Sequence, residues 1–472
     1  MSRSKSKPKK PGLPQAGSIS PSATGALDAA DAALKDAMAL DAMGPKDAAP
    51  EQAAPNSAAS DQTQPADAAP VTEAPVVEAP DIEAPAIAAP LPVATPAPQP
   101  AASANIAEAS GVLTIDLGAI ADNWRMLSNH VMPVDCAAVV KADAYGCGIE
   151  QVVPALRRAG CTTFFVANLA EARRVRPLAP DAAIYVLGGV PPGTASGFAD
   201  SNVRPVINSM TEFAEWDAFV TAHNWQGGAA LHVDTGMNRL GMPPDEAAAF
   251  GPRIQQENHG ITLLMSHMAC AETSGHPLNE QQIRAFRDVR MQFRGVPSSL
   301  ANSSGIFLGP SAHCDLVRPG VALYGANPTP GAKNPMKPVV EMQARIAQFR
   351  RVGKGDSVGY GATWTAKRPS RIAVVTVGYA DGYLRAASAT DGKSGGKAIV
   401  ANEVCPIVGR ISMDLMAIDV TEVPEASVRR GDLVGLIGGA LDVDTVAGAA
   451  GTIGYEILTS LDRRHHRVYK GG

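Results

Sequence analysis

Cysteine and aromatic residues are scarce in this chain of 472 residues. Aromatic residues make up 5% of it, and its six cysteines include no Cys-x-x-Cys pair. Because the cysteines are spread through apolar segments, we expect reduced core thiols rather than a disulfide framework. His313 and Cys314 are the closest candidate metal ligands, but adjacent residues are poorly placed to bind one tetrahedral ion, so no metal is predicted.

A strong excess of charge and a long apolar run are also missing. Lys and Arg number 41 against 46 Asp and Glu, which leaves no basic footprint for nucleic acid. No apolar run is long enough to span a bilayer. The basic residues 2–10 are not followed by the apolar core of an export signal. The sequence therefore predicts a cytoplasmic protein without a nucleic-acid or membrane partner.

Residues 1–110 contain no Phe, Tyr, Trp or Cys and are dominated by Ala and Pro. Such a composition buries too little apolar surface to offset the entropy of ordering, which predicts a disordered tail. A weak Ala-rich helix over Leu27–Met43 is the one exception. Two interpretations stay open: an interaction or localisation arm, or a dispensable extension from an overcalled start codon.

Residues 111–340 alternate short apolar, β-rich runs with amphipathic stretches. Eight strand-like runs lie at Ala137–Val140, Thr162–Val166, Ala183–Leu187, Val203–Ile207, Ala229–Val233, Ile261–Ser266, Ser298–Ala301 and Leu316–Leu323. Helix-like segments lie between most of them, at Glu150–Arg158, Leu169–Arg176, Met210–Thr221 and Asn279–Gln292. Eight such alternations favour an α/β fold, a parallel (β/α)8 barrel, over an open sheet.

Residues 341–472 no longer alternate. Strand-like runs at Glu341–Phe349, Arg371–Val377, Lys397–Val400 and Leu433–Ile437 are separated by Gly and Asp. The sequence predicts a second, mainly β domain here.

In a (β/α)8 barrel the reactive residues gather where the strands end. Lys141 follows Ala137–Val140, so it is desolvated enough to have the lowered pKa of a nucleophilic amine. Taken alone, a Lys at a strand end is more often a solvated charge. A functional role for Lys141 is favoured by the residues that follow other strands. Hydroxyls and approachable N–H groups, which a phosphate needs, are offered by Ser303, Gly320 and Tyr145.

Six motifs carry a resemblance to the alanine racemases. The sequence from Val139 to Gly148 looks like the cofactor-lysine motif of that family. The other five, in the family's order, are Asp234–Gly241, Arg318–Gly325, Ser357–Thr363, Gly378–Gly382 and Gly409–Asp414. The resemblance covers residues 111–469, and so many ordered motifs make a chance match implausible.

The resemblance implies a role for each matching position. Lys141 would hold pyridoxal 5'-phosphate and act as a base on one face of the alanine α-carbon. Tyr360, from the partner subunit of a homodimer, would be the base on the other face. Arg318 would meet the pyridine nitrogen, and His267 would flank the ring. The phosphate would be bound by Tyr145, Ser303, Gly320, Val321 and Tyr455. Arg239 and Met413 would help hold the substrate, and the first strand, Val112–Leu117, would join the C-terminal domain.

The chemistry of racemisation explains this set of residues. An amino-acid α-proton needs an electron sink before it can be removed, and an imine-linked pyridine ring supplies one. Two bases on opposite faces allow removal from one side and return on the other. Tyr360 needs neighbours that lower its pKa, for which Arg239 and His267 are the candidates. Arg318 cannot give the ring a proton, which weakens the sink and limits side reactions.

Two positions depart from the family pattern. Many members carry a Lys that becomes carbamylated where this chain has His232, so Arg239 must be oriented in another way. Asn238 stands where the family often has Gly.

Four other functions are alternatives to the interconversion of L- and D-alanine. A racemase of broader specificity is the nearest. A decarboxylase of the same architecture is expected to place a carboxylate near the pyridine nitrogen, which Arg318 argues against. A non-catalytic cofactor carrier would lack the β domain and Tyr360, and a scaffold role would reside in the tail. The D-alanine product would supply peptidoglycan or feed catabolism.

Overall fold

Two units built from the sequence pattern above make up the structure, a computed structural model that describes residues 106–256, 260–461 and 463–472. All of these belong to the segment Ala104–Gly472. The predicted disordered tail and the predicted helix Leu27–Met43 lie outside the described residues, apart from the last few residues of the tail. No described helix is long and apolar enough to cross a membrane.

The first unit is a parallel β-barrel with helices around it. Its strands are β2 (Asp135–Cys136), β3 (Ala138–Val139), β4 (Thr163–Val166), β5 (Ala183–Val186), β6 (Arg204–Ile207), β7 (Ala229–His232), β8 (Ile261–Met265), β9 (Ser298–Ser299) and β10 (Leu316–Val317). Strands β3 to β9 form one sheet in chain order. Apart from Ile261 at the start of β8, their Val, Ile, Phe and Leu residues are buried, as strands covered on both faces require.

Strand β10 closes the barrel. It pairs with β2, and the N–H groups of Ala137 and Val139 donate to the carbonyls of Val317 and Pro319. On its other side the N–H of Arg318 donates to Ala301 O. Because β2 and β3 are two halves of one strand, the barrel has eight strands, and the predicted fold class is confirmed.

The helices are named α1 to α10 in chain order. They are α1 (Leu117–Val131), α2 (Ile149–Ala159), α3 (Leu169–Val175), α4 (Ala195–Asp200), α5 (Met210–His223), α6 (Pro244–Gln256), α7 (Pro277–Arg290), α8 (Pro310–His313), α9 (Val443–Ala450) and α10 (Gly454–Ser460). Asn168 and Ser209 cap α3 and α5 by accepting the N–H of Glu171 and Glu212.

The predicted strand Leu316–Leu323 is wrong in its second half. The strand ends at Val317, and Val321–Tyr324 forms a 3₁₀ turn. Pro319 has no N–H to donate, so it interrupts the ladder where the apolar pattern continues. The turn brings Gly320 and Val321 to the rim of the barrel, where strand geometry would have buried them in the wall.

The second unit is a β-barrel with one long strand. It comprises β1 (Gly111–Asp116), β11 (Val340–Val352), β12 (Ser370–Val375), β13 (Lys397–Val400), β14 (Glu403–Val408), β15 (Met416–Asp419), β16 (Leu433–Ile437) and β17 (His466–Lys470). Strand β11 pairs with both β16 and β12, which closes the ring β12-β15-β14-β13-β16-β11. Strand β1 lies between β11 and β17, so it belongs to this sheet.

Asn123 on α1 ties the barrel helices to the segment that leads into β11. Its side-chain amide donates to Leu323 O at 3.2 Å and Lys337 O at 3.0 Å, and it accepts the N–H of Lys337 at 2.8 Å. The residue is 2% exposed. Removing the amide therefore leaves three backbone groups without partners in a buried position.

We predict that Asn123→Ala lowers the stability of the protein by about 2–4 kcal/mol, because three buried backbone groups lose their partners. The measurement is the urea-denaturation midpoint at fixed protein concentration. The neighbouring Asp122→Ala is the matched control, since it removes only exposed ion pairs with Arg125 and Lys337. Equal shifts for the two variants would contradict the role assigned to Asn123.

Candidate active site

A cavity of about 420 Å³ opens at the carboxyl ends of the barrel strands. Nine of the residues that the sequence suggested for the site line it: Lys141, Tyr145, Arg239, His267, Ser303, Arg318, Gly320, Val321 and Tyr455. His232 lines it as well. Tyr360 and Met413 do not, and both are mostly exposed on the β domain.

Lys141 stands between β3 and an unusual turn. Ala142, Asp143 and Ala144 have φ near +54° and ψ near +50°, and the φ of Tyr145 is also positive. This is a left-handed helical turn built without glycine, a conformation that costs roughly 1–2 kcal/mol for each residue. The turn directs Lys141 into the cavity and Tyr145 back over it.

Glu171 holds the turn, and sequence reasoning did not find it. Its carboxylate accepts the N–H of Ala142 at 2.7 Å and the N–H of Ala167 at 2.8 Å. Asp143 accepts the N–H of Ile149 and the guanidinium of Arg174. Glu171 lies 29 residues beyond Ala142, so no local pattern marks the pair; only the adjacency of neighbouring barrel units brings them together.

The environment of Lys141 favours the neutral amine. Burial lowers the pKa of Lys141, the charge of Arg239 lowers it further, and Glu171 opposes the shift. A lowered pKa is what a nucleophilic or basic amine requires at neutral pH. The interpretation of Lys141 as a solvated charge does not fit a partly buried side chain that lines a cavity.

Arg318 is buried, and it has no carboxylate partner among the residues that the structure describes. It is 3% exposed and donates to Ser299 Oγ, to Ser266 O at 2.5 Å and to His267 Nδ1 at 3.3 Å. Burial lowers the pKa of Arg318 to about 10, so it stays charged near neutral pH. The alternative of a surface ion pair is excluded by this geometry.

His267 is neutral in this setting. A guanidinium can only donate, so His267 Nδ1 accepts the hydrogen bond from Arg318. The proton of the neutral His267 ring is therefore on Nε2. Burial, followed by the charges of Arg318 and Arg239, holds the pKa of His267 well below its usual range. The ring therefore adds an aromatic surface to the cavity without adding charge.

Ser303 and Tyr145 converge on Gly320. Ser303 Oγ accepts the N–H of Gly320 at 2.9 Å and that of Ala322 at 3.3 Å. A Cβ at Gly320 would lie 2.3 Å from the hydroxyl oxygen of Tyr145. The ring of Tyr145 stacks on Tyr324 at 4.6 Å and lies 6.1 Å from Tyr455. Hydroxyls and backbone thus surround a small space that only glycine leaves open.

The charge of the cavity is positive. Lys141, Arg239 and Arg318 line it, and none of the described lining residues is Asp or Glu. Burial raises the pKa of Tyr455 to about 12, and it raises that of Tyr145 too, so both hydroxyls remain donors. Such a cavity suits a ligand that carries phosphate or carboxylate groups.

Tyr360 lies on a closely packed loop of the β domain. It begins a short 3₁₀ turn, Tyr360–Ala362, between glycines with φ of +83° and +73°. Added Cβ atoms at Gly359 and Gly361 would approach Arg410 to 3.0 and 2.8 Å. The loop therefore packs closely on the segment around Arg410 and holds Tyr360 outward, 69% exposed.

Comparison with known protein families matches nearly all of the described chain. The alanine racemase N-terminal domain matches residues 115–328, and the alanine racemase C-terminal domain matches residues 339–469. An alanine racemase of Methylobacterium sp. (strain 4-46) is 52% identical over 76% of this chain and 97% of its own length.

Two further relatives are named for different physiological roles, one catabolic and one biosynthetic. A catabolic alanine racemase of Mesorhizobium japonicum is 48% identical over 78% of this chain and 95% of its own length. A biosynthetic alanine racemase of Agrobacterium fabrum is 45% identical over 76% and 93%.

A solved structure shows the same fold. The alanine racemase of Bartonella henselae with covalently bound pyridoxal phosphate superposes with a TM-score of 0.72, at 38% identity over 76% of this chain and 99% of that chain. The two domain matches, the identities and the shared fold confirm the resemblance seen in the motifs. The chain belongs to the alanine racemase family, a family of isomerases.

Proposed function

We propose that the chain interconverts L- and D-alanine with pyridoxal phosphate, using Lys141 and the partner subunit's Tyr360 as bases on opposite faces of the substrate. The observation that carries the proposal is the cationic cavity, which gathers a depressed-pKa lysine, a buried arginine and a hydroxyl-lined gap at Gly320. The names of the relatives supply the reaction and the substrate.

The residues present fit the cofactor. The space at Gly320, with Ser303, Val321, Tyr145 and Tyr455 around it, suits a phosphate that accepts hydrogen bonds from hydroxyls and backbone. When bound, pyridoxal phosphate supplies the electron sink that makes the α-proton removable.

Each cationic residue has a distinct task. Lys141 would hold the cofactor; its Nζ would take a proton as the neutral amine and return one as the ammonium ion. Arg318 donates a hydrogen bond to the pyridine nitrogen and cannot protonate it, which keeps the sink weak and limits decarboxylation and transamination. Arg239, which is exposed at the rim, binds the substrate carboxylate, and His267 flanks the ring.

Tyr360 acts across a homodimer interface. Four exposed apolar side chains lie on loops of the β domain that pack together, at Tyr360, Tyr379, Met413 and Leu415. An exposed apolar cluster of this kind is typical of a protein–protein contact. In a two-fold dimer the patch would bring Tyr360 and the backbone at Met413 to the partner's cavity, beside the partner's Arg239 and the partner's His267.

The remaining proposals concern organisation and duty. We propose units at 1–110, 111–340 and 341–472, with β1 counted in the last, and a cytoplasmic location. The D-alanine formed would supply peptidoglycan synthesis or enter catabolism. Both roles stay open, because one of the relatives is named as catabolic and another as biosynthetic.

We predict that Gly320→Ala weakens pyridoxal phosphate binding by roughly tenfold to a hundredfold, because overpacking a filled site costs about 1–3 kcal/mol. The added methyl group would clash with the hydroxyl of Tyr145. The measurement is the dissociation constant of the cofactor, titrated into apoenzyme. Gly448→Ala is the control, because a Cβ at Gly448 meets nothing within 4 Å; unchanged affinity in Gly320→Ala would contradict the phosphate assignment.

We predict that Lys141→Ala and Tyr360→Phe are each inactive as homodimers but recover activity when mixed. If each site takes Lys141 from one subunit and Tyr360 from the other, one site of every mixed dimer is intact. After co-refolding of equal amounts, racemisation should reach about a quarter of the wild-type rate on two-fold symmetry.

The rate of the mixture after co-refolding is compared with the sum of the two variants refolded apart. No recovery would show that the subunits do not share a site. Met132→Ala, an exposed residue at the end of α1, provides a refolding control that should keep the wild-type rate throughout.

A further inference from the structure

His232 is a buried residue at the cavity that the proposed reaction does not use. It ends β7, is 8% exposed and lines the cavity beside Arg239. Its Nδ1 is bonded to Asn208 Oδ1, and among the described residues no hydrogen bond to its Nε2 is found. A buried ring with one free nitrogen at a cavity wall can contact a ligand or another lining side chain.

A chain of hydrogen bonds fixes which nitrogen carries the proton. The Asn208 amide donates to Val206 O at 2.9 Å, so its Oδ1 faces His232 as an acceptor. His232 Nδ1 therefore donates to Asn208 Oδ1 at 2.8 Å. Glu212 accepts the N–H of Asn208 at 2.7 Å and holds this segment in place. In the neutral ring, Nε2 is left as a lone-pair acceptor.

The surrounding charges keep the ring neutral. Burial, together with the charges of Arg318 and Arg239, lowers the pKa of His232 to about 4, and Asp234 opposes the shift. Lys141, which follows β3, adds a further cation to the same cavity. Nε2 therefore remains an acceptor throughout the neutral and alkaline range.

Arg239 is the donor that matches this acceptor. It follows β7 on the loop that starts at Asp234, after Asn238 with a φ of +54°. Within the described residues it forms no hydrogen bond or ion pair, and it is exposed at the rim of the cavity. A long arginine that must bind a carboxylate loses rotamer freedom when it does so, and a fixed acceptor reduces that loss.

We propose that, once the substrate carboxylate has drawn Arg239 into the cavity, His232 Nε2 accepts a hydrogen bond from it and holds the guanidinium against that carboxylate. The inference rests on the proposed function and makes His232 a positioning residue. The second face of the guanidinium stays free for a bidentate contact with the carboxylate, which a planar fork of donors favours.

The test is a double-mutant cycle on the holoenzyme with His232→Leu and Arg239→Gln. The readouts are kcat and KM for L-alanine and the calorimetric affinity for propionate, which is alanine without its amino group. We expect His232→Leu to raise KM and the propionate Kd about tenfold, as loss of a hydrogen bond to a charged group does, with kcat changed little. In the Arg239→Gln background the same change should add less than about twofold, because the two residues act through one contact.

Two further variants sharpen the result. His232→Gln keeps an acceptor near Nε2 and should restore most of the propionate affinity. His313→Gln is the matched control, since His313 is also buried, donates from Nε2 to Ile306 O and does not line the cavity. Equal losses for His313→Gln and His232→Leu, or independent effects of His232 and Arg239, would overturn the proposal.

A measurement on the resting protein tests the tautomer directly. With ¹⁵N-labelled histidine, the His232 signals, assigned by their loss in His232→Gln, should show a protonated Nδ1 and an unprotonated Nε2 from pH 6 to 9. A protonated Nε2 in that range contradicts the inference. Failure of the proposed function would look different, because the wild-type holoenzyme would then not racemise alanine at all.

Discussion

The left-handed turn after Lys141 is the constraint on which the site depends. Four consecutive residues without glycine adopt a conformation that L-amino acids avoid, and a run of them persists only when its surroundings enforce it. Glu171 supplies one part of that enforcement by accepting the first N–H of the turn. Gly146 supplies another, because it closes the turn so near Leu458 O that a Cβ there would lie 2.2 Å away.

That close contact joins the two barrels beside Lys141. Leu458 belongs to α10, and Arg467 on β17 donates to Gly146 O at 2.7 Å. Strand β17 pairs with β1, which in turn pairs with β11. The position of Lys141 is therefore set by the second unit as well as by the strand it follows, and both units must fold before the cavity has its shape.

Cations and neutral histidines share the cavity in a way that follows from burial. Three basic side chains face it with no acidic one among its described lining, which attracts the phosphate and carboxylate groups of the ligands. An imidazolium would add to the repulsion between these cations. Both His232 and His267 have lowered pKa values and instead serve as acceptors, His267 towards Arg318 and His232 towards the open space.

Much of the fold and most of the residues that line the cavity could be predicted from the sequence, because the strands of a barrel are recognisable as short apolar runs rich in β-forming residues. The rule that reactive residues follow the strands then selected Lys141, Arg239 and Arg318. Contacts between distant residues were beyond that reasoning: Glu171 with Ala142, and Asn208 with His232, depend on which barrel units are neighbours. The predicted strand Leu316–Leu323 was too long, because the sequence stays apolar after Val317 although the strand ends there, before Pro319.

The pairing of Lys141 and Tyr360 on opposite faces of the substrate is the central claim, and isotope transfer tests it most directly. L-alanine is converted by the wild-type enzyme in heavy water, the reaction is stopped at low conversion, and the D-alanine formed is analysed by mass spectrometry. Two opposed bases predict that nearly every product molecule carries deuterium at the α-carbon, because the returning proton comes from a second, solvent-exchanged group. Retention of the original protium in a large share of the D-alanine would show that a single base carries the proton across, and would contradict the account.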